Sequence, residues 1–206
     1  MLVDVLALIS FFIILFLLES LVEIFPSLVA CMVRWKESVN LDASVQLGRS
    51  RDIIALAMML PFCLVVSRHN LYSMEWMDGI HINGRTGIII GIFVLYVLLR
   101  KFMEHVSRPK KMNGKTYRTA CKASHTFFSI LTLILLCMAG VLSFIDTNAE
   151  VIKNAMLWVS ATIYLLYIIR KYQIFVSSCS FFSGFLYLCA LEFIPTGAMV
   201  ASAIIF

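Results

Sequence analysis

LVDVLALISFFIILFLLESLVEIFPSLVACMV, residues 2–33, decides the fold class. Leu2 to Leu18 is apolar apart from Asp4 and Ser10, and the run resumes after Glu19 and Glu23 as far as Val33. So long an apolar stretch is a membrane-spanning helix rather than a core helix. At about 1.5 Å per residue it would cover roughly 48 Å, against a hydrocarbon core of about 30 Å. The excess length predicts a tilt, or a break at Pro26. Asp4 stands where a signal peptide needs basic residues and two glutamates interrupt the apolar region, so the segment is expected to stay in the mature protein.

The rest of the chain agrees. Of its 206 residues 61% are hydrophobic and 14% charged, where a soluble domain runs nearer about 45–50% and 25%. A single soluble core of this size cannot bury so much apolar surface. Apolar runs predict an all-α polytopic membrane helix bundle of about six transmembrane helices, at residues 2–33, 53–67, 86–100, 123–145, 153–169 and 174–206. Residues 1–206 then form one transmembrane domain with no soluble domain beside it. Pro61 falls in the short second run, which Asp52 is placed to cap. Residues 67–85, with Tyr72, Trp76 and Asp78, have the composition of an interfacial loop. The six cysteines are dispersed through apolar runs without CxxC spacing, the pattern of reduced, buried structural thiols.

The net charge of +5, from 17 Lys and Arg against 12 Asp and Glu, is spread between the apolar runs and does not form a nucleic-acid-binding face. The segments after spans one, three and five hold fourteen bases, eight of them between Arg100 and Lys122, and the other side holds Arg68, Arg85 and Lys153. By the positive-inside rule this predicts a multi-pass protein with both termini outside, which for a bacterial inner (cytoplasmic) membrane is the periplasmic side. The expected partners are the lipid bilayer and other membrane proteins, with no nucleic acid.

Three carboxylates lie at membrane depth, where each costs a few kcal/mol unless it finds a partner or a cavity. Glu19 and Glu23, at i and i+4, share one face of the first span; Glu192 sits near the middle of the last. Glu23 precedes Pro26 by three residues and Glu192 precedes Pro195 by three, and each proline leaves a carbonyl, that of Val22 or Leu191, without its amide. Carboxylate and freed carbonyl together form a candidate intramembrane proton or ion site, and a bundle joining the first and last helices would gather all three carboxylates. The structural alternative is that each glutamate is protonated or bonded to a serine, a tyrosine or an arginine of a neighbouring helix.

His105 and His125 flank the main basic segment and could ligate a metal or haem, whereas a helix-end histidine bonded to a headgroup or carbonyl is the plainer reading. His69 and His81 fall on the opposite side. Gly87 and Gly91 form a small-xxx-small pair suited to close helix packing. No HExxH, GxSxG or Walker sequence occurs, so the reading leans against an enzyme and no cofactor is expected, haem being the one alternative.

His125 with Phe127-Phe128, Arg51-Asp52, Leu60-Pro61-Phe62 and above all residues 185–195, FLYLCALEFIP, make the chain similar to an uncharacterised integral-membrane family of Bacteroidota, a domain of unknown function. The resemblance implies a small multi-span inner-membrane protein and brings no activity, substrate or cofactor. Three functions are compatible with these features: a membrane scaffold or assembly subunit, placed first; a proton- or ion-coupled transport protein using Glu19, Glu23 and Glu192; and a haem-binding or other membrane enzyme using His105 and His125. The topology is tested by fusing a reporter that is active only outside the cytoplasm. It should be active after Phe206 or between Tyr72 and Gly79, and inactive near Lys111; activity at Lys111 would invert the arrangement.

Overall fold

The computed structural model describes residues 2–72, 77, 79–106, 114–143 and 148–205. Among these, all regular structure is helical: α1 (Leu2–Val33), α2 (Trp35–Ala43), α3 (Val45–Ala57), α4 (Met59–Arg68), α5 (Ile82–Val106), α6 (Gly114–Ser143), α7 (Ala149–Val176), α8 (Phe181–Leu188), a π-turn (Cys189–Phe193) and α9 (Ile194–Ile205). Six stretches are long and apolar enough to cross a membrane: Val3–Val33, Val45–Arg68, Ile82–Val106, Gly114–Leu142, Ala149–Val176 and Phe181–Ala201. The fold is an all-α bundle of the polytopic kind.

The second to fifth spans begin four to nine residues before the apolar runs that mark them, whereas α1 matches its run and the last span begins later. α1 continues through Pro26 without the expected break, and a lipid-facing proline removes only one hydrogen bond there. After extended Arg34 the chain forms α2, a short helix whose Ser38 and Leu41 are buried. Ser44 caps α3, its side chain accepting from the Leu47 amide at 3.5 Å. Asp52 therefore lies inside α3 and not at its start, as capping the second span would require. The second span breaks at Met58, three residues before Pro61, which has no amide to donate to the Ala57 carbonyl. Residues 174–176 belong to α7, and the last span begins at Phe181 after a short turn. Gly184 lets α8 fold tightly back, since a Cβ there would stand 3.3 Å from the Val176 side chain. Trp76 and Asp78 of the interfacial loop, and residues 107–113 of the basic segment, lie outside the described residues.

α6 is the central helix, packing on α1, α2, α3, α4 and α7. One cluster joins its Tyr117, Ala123 and Phe127 to Ile163, Phe175 and Leu191, and another joins its Ile130 to Ile24, Leu28, Ile54 and Met58. Thr126, Ser129 and Thr132 are buried, the small residues that let membrane helices approach. Ser129 and Thr132 donate to carbonyls one turn back in their own helix. Ser67 and Thr86 hydroxyls, 2.7 Å apart, tie α4 to α5. Large apolar side chains face outward, Phe16 being 88% exposed, as a lipid-solvated surface requires. All six cysteines are free; Cys31 and Cys63 are buried, Cys121, Cys179 and Cys189 half-buried, and Cys137 is exposed, so burial does not hold for the whole set.

The packing is tested on α1. Leu28→Ala should cost about 2–5 kcal/mol by opening a cavity. Leu8→Ala, at a side chain 58% exposed, should change stability by less than about 0.5 kcal/mol. Unfolding midpoints in detergent measure both.

Candidate functional site

Glu192 is fully buried between three helices. Pro195 cannot donate to Leu191, and the helix widens in response: the Ile194 amide reaches back five residues to the Cys189 carbonyl, making the π-turn that carries Glu192. α7 contributes Tyr167 and Lys171, one turn apart on one face, and α5 contributes Arg100. Glu192 Oε1 accepts from Tyr167 at 2.5 Å, from Arg100 Nη2 at 2.6 Å and from Lys171 Nζ. The donors also engage one another, Arg100 Nη2 donating to the Tyr167 hydroxyl at 2.6 Å and Lys171 Nζ donating to it at 3.1 Å. Arg100 Nε stands 3.5 Å from Glu104, and the Tyr167 ring lies under both cations, 5.8 and 5.6 Å from its centroid. One turn further along, Tyr164 and Thr196 hydroxyls meet at 2.7 Å, and Thr196 donates to the Glu192 carbonyl. Glu192 Oε2 is buried and has no hydrogen-bond partner among the described residues.

A second network joins α2, α3 and α6. Buried Arg51 donates to Asp52 at 3.0 Å and to Asp42 at 3.3 Å. Lys122 approaches Asp52 Oδ2 at 2.9 Å, Thr119 donates to Asp42 at 3.1 Å, and His125 Nδ1 lies 3.0 Å from Asp52 Oδ1. Since a carboxylate only accepts, Nδ1 carries the proton and Nε2 is left open on a half-exposed ring. Both networks belong to the basic side of the bundle, where α5 and α7 end and α3 and α6 begin.

The carboxylates singled out in the sequence are not brought together. Glu192 and Pro195 form the buried clasp, while Glu19, Glu23 and Pro26 are exposed on the outward face of α1. His125 pairs with Asp52, and His105 is exposed in the last turn of α5. Among the described residues no three His, Cys, Asp or Glu side chains are gathered as a metal centre would need. Gly87 and Gly91 make no close helix contact among the described residues: a Cβ at either would meet nothing within 4 Å. The reason is that Thr86, bonded to Ser67, turns the adjacent face of α5 inward and the glycines outward. Sequence reasoning missed Arg100, Lys171 and Tyr167, because the two bases sit at the ends of apolar runs and count there as orienting charges. Their pointer was Glu192 itself, a membrane-depth carboxylate in need of cations.

Removing one member of a buried ion cluster leaves the others uncompensated. Glu192→Gln, which sets Arg100 and Lys171 against each other, should cost about 3–5 kcal/mol, and the double variant with Lys171→Met should cost less than the sum of the two single changes. Thermal unfolding in detergent tests this, and a single-variant loss below about 1 kcal/mol would show the clasp to be idle. The model of the family described as "Domain of unknown function (DUF4271)" matches residues 3–202. No curated protein and no solved structure matches the chain.

Proposed function

The chain belongs to the DUF4271 family, and we propose that it is a scaffold or assembly subunit of the inner membrane of Bacteroidota, its basic face toward the cytoplasm, holding another membrane protein. One observation carries the reading: Glu19 and Glu23, carboxylates at membrane depth that make no ion pair among the described residues, point out of the bundle. Glu19 and Glu23 stand exposed on α1 among Leu15, Phe16, Leu18, Val22 and Phe25, all of them exposed as well. Gly87 and Gly91 lie open on α5. An ionised side chain at mid-bilayer costs roughly 2.5–3.5 kcal/mol on insertion scales, and a partner helix offsets that cost. The interior charges described above are meanwhile committed to each other, which favours holding over conducting.

The test is photo-crosslinking in living cells from Phe16 or Val22, with buried Ile24 as the control. Adducts with one distinct membrane protein from the first two positions and none from Ile24 are the expected result. Lipid adducts alone would reject the scaffold.

A further inference from the structure

We infer that the outward face of α1 docks a transmembrane helix carrying a lysine or arginine at the depth of Glu19 and Glu23. The inference rests on the scaffold reading and supplies the chemistry of the partner.

Depth comes first. Glu19 lies near the middle of the 32-residue α1, and Glu23 one turn on. If a core of about 30 Å is centred on the helix it takes in roughly residues 8–28, and if it ends at Arg34 it takes in roughly residues 13–33. Both carboxyls are inside it in either case. The nearer boundary is then at least about one and a half turns, roughly 7–9 Å, from either residue, farther than a glutamate stem reaches, unlike a lysine or arginine near a helix end.

Next comes the want of an internal partner. Among the described residues neither glutamate makes an ion pair, and the cations of the basic side are engaged elsewhere: Arg51 and Lys122 with Asp42 and Asp52, Arg100 and Lys171 with Glu192, and Arg170 with the Met32 carbonyl and Gln173. α1 turns Ile24, Leu28 and Cys31 into the bundle, so its glutamates cannot turn inward without exposing that face.

The occupant is set by charge. A second copy seated on the same face would set carboxylate against carboxylate in a low dielectric, a repulsive arrangement. A wholly apolar helix would bury the carboxylates without a hydrogen bond. A helix with a cation at matching depth satisfies them, and the chain uses that chemistry for Glu192, which meets an arginine and a lysine from neighbouring helices. Phe16, Val22 and Phe25 flank the glutamates as the apolar rim of the contact.

The experiment uses the full chain, fluorescently labelled, in phosphatidylcholine vesicles with synthetic leucine helices of about 20 residues. One helix carries a central lysine, one a central glutamate and one neither; energy transfer reports association. The lysine helix should associate about ten-fold more strongly than the all-leucine helix. The Glu19→Gln/Glu23→Gln protein should lose that difference, and the Glu19→Lys/Glu23→Lys protein should prefer the glutamate helix. The changed side chains lie outside the core, and unchanged unfolding midpoints will confirm intact folding. Equal binding of the leucine helix, binding that survives the double glutamine change, or self-association that depends on the two glutamates would each overturn the inference. The scaffold reading fails separately: a crosslinked partner with no basic residue at that depth defeats the charge match and keeps the scaffold, whereas lysine-helix binding without cellular adducts supports the charge match and defeats the scaffold.

Discussion

A carboxylate held in a low dielectric must be answered by donors, and the arrangement around Glu192 obeys that constraint. Oε1 takes a tyrosine, an arginine and a lysine, so α5, α7 and the last span converge on one atom. Pro195 sets the aim. A π-turn places one extra residue in the turn and rotates the downstream helix by about 100° relative to an unbroken α-helix. Leu188 and Leu191 are thereby kept on the face of α7 while Thr196 meets Tyr164. The proline thus works through geometry, giving a conformation in which Glu192 is inward and its neighbours still pack.

The second network applies the same physics where the bundle meets its basic boundary. Arg51 and Lys122 neutralise Asp42 and Asp52, joining α2 and α3 to the central α6. Each network crosses three elements, and both lie toward the basic side. The opposite half is held by packing, by the Ser67–Thr86 pair and by apolar clusters such as Cys63, Val66 and Ile89. In lipid such packing has no hydrophobic drive between helices, so its strength comes from close contact and hydrogen bonds. The basic half is thus cross-linked by directional, charge-assisted bonds, and the other half by contact that tolerates exchange of similar side chains.

Legibility in the sequence divides along the same line. The six spans and the all-helical class could be read, because hydropathy over about 20 residues is a local property. Helix ends could not: α3 begins at Val45 because Ser44 caps it and because Arg51 finds two carboxylates that let it be buried. Glu192 could be singled out by depth alone, whereas its partners are fixed by which helix faces which. The glycine pair was visible as a spacing, but its facing was decided by Thr86, one residue away. The break offered at Pro26 of α1 does not form, since a proline with lipid on its open side ends nothing.

Glu192 and the pair on α1 then differ in where their answer comes from, not in what they need. For Glu192 the chain provides two cations and a tyrosine from its own helices, and these hydrogen bonds converge on Oε1 and offset much of the desolvation of the four groups. For Glu19 and Glu23 it provides a rim of exposed phenylalanine and valine and, among the described residues, no cation. The bundle itself gains nothing in stability from two carboxylates left on the outward face of α1. On the proposed scaffold reading, their cost is recovered when a partner helix lies against α1 and brings the cation that the bundle does not turn toward this face.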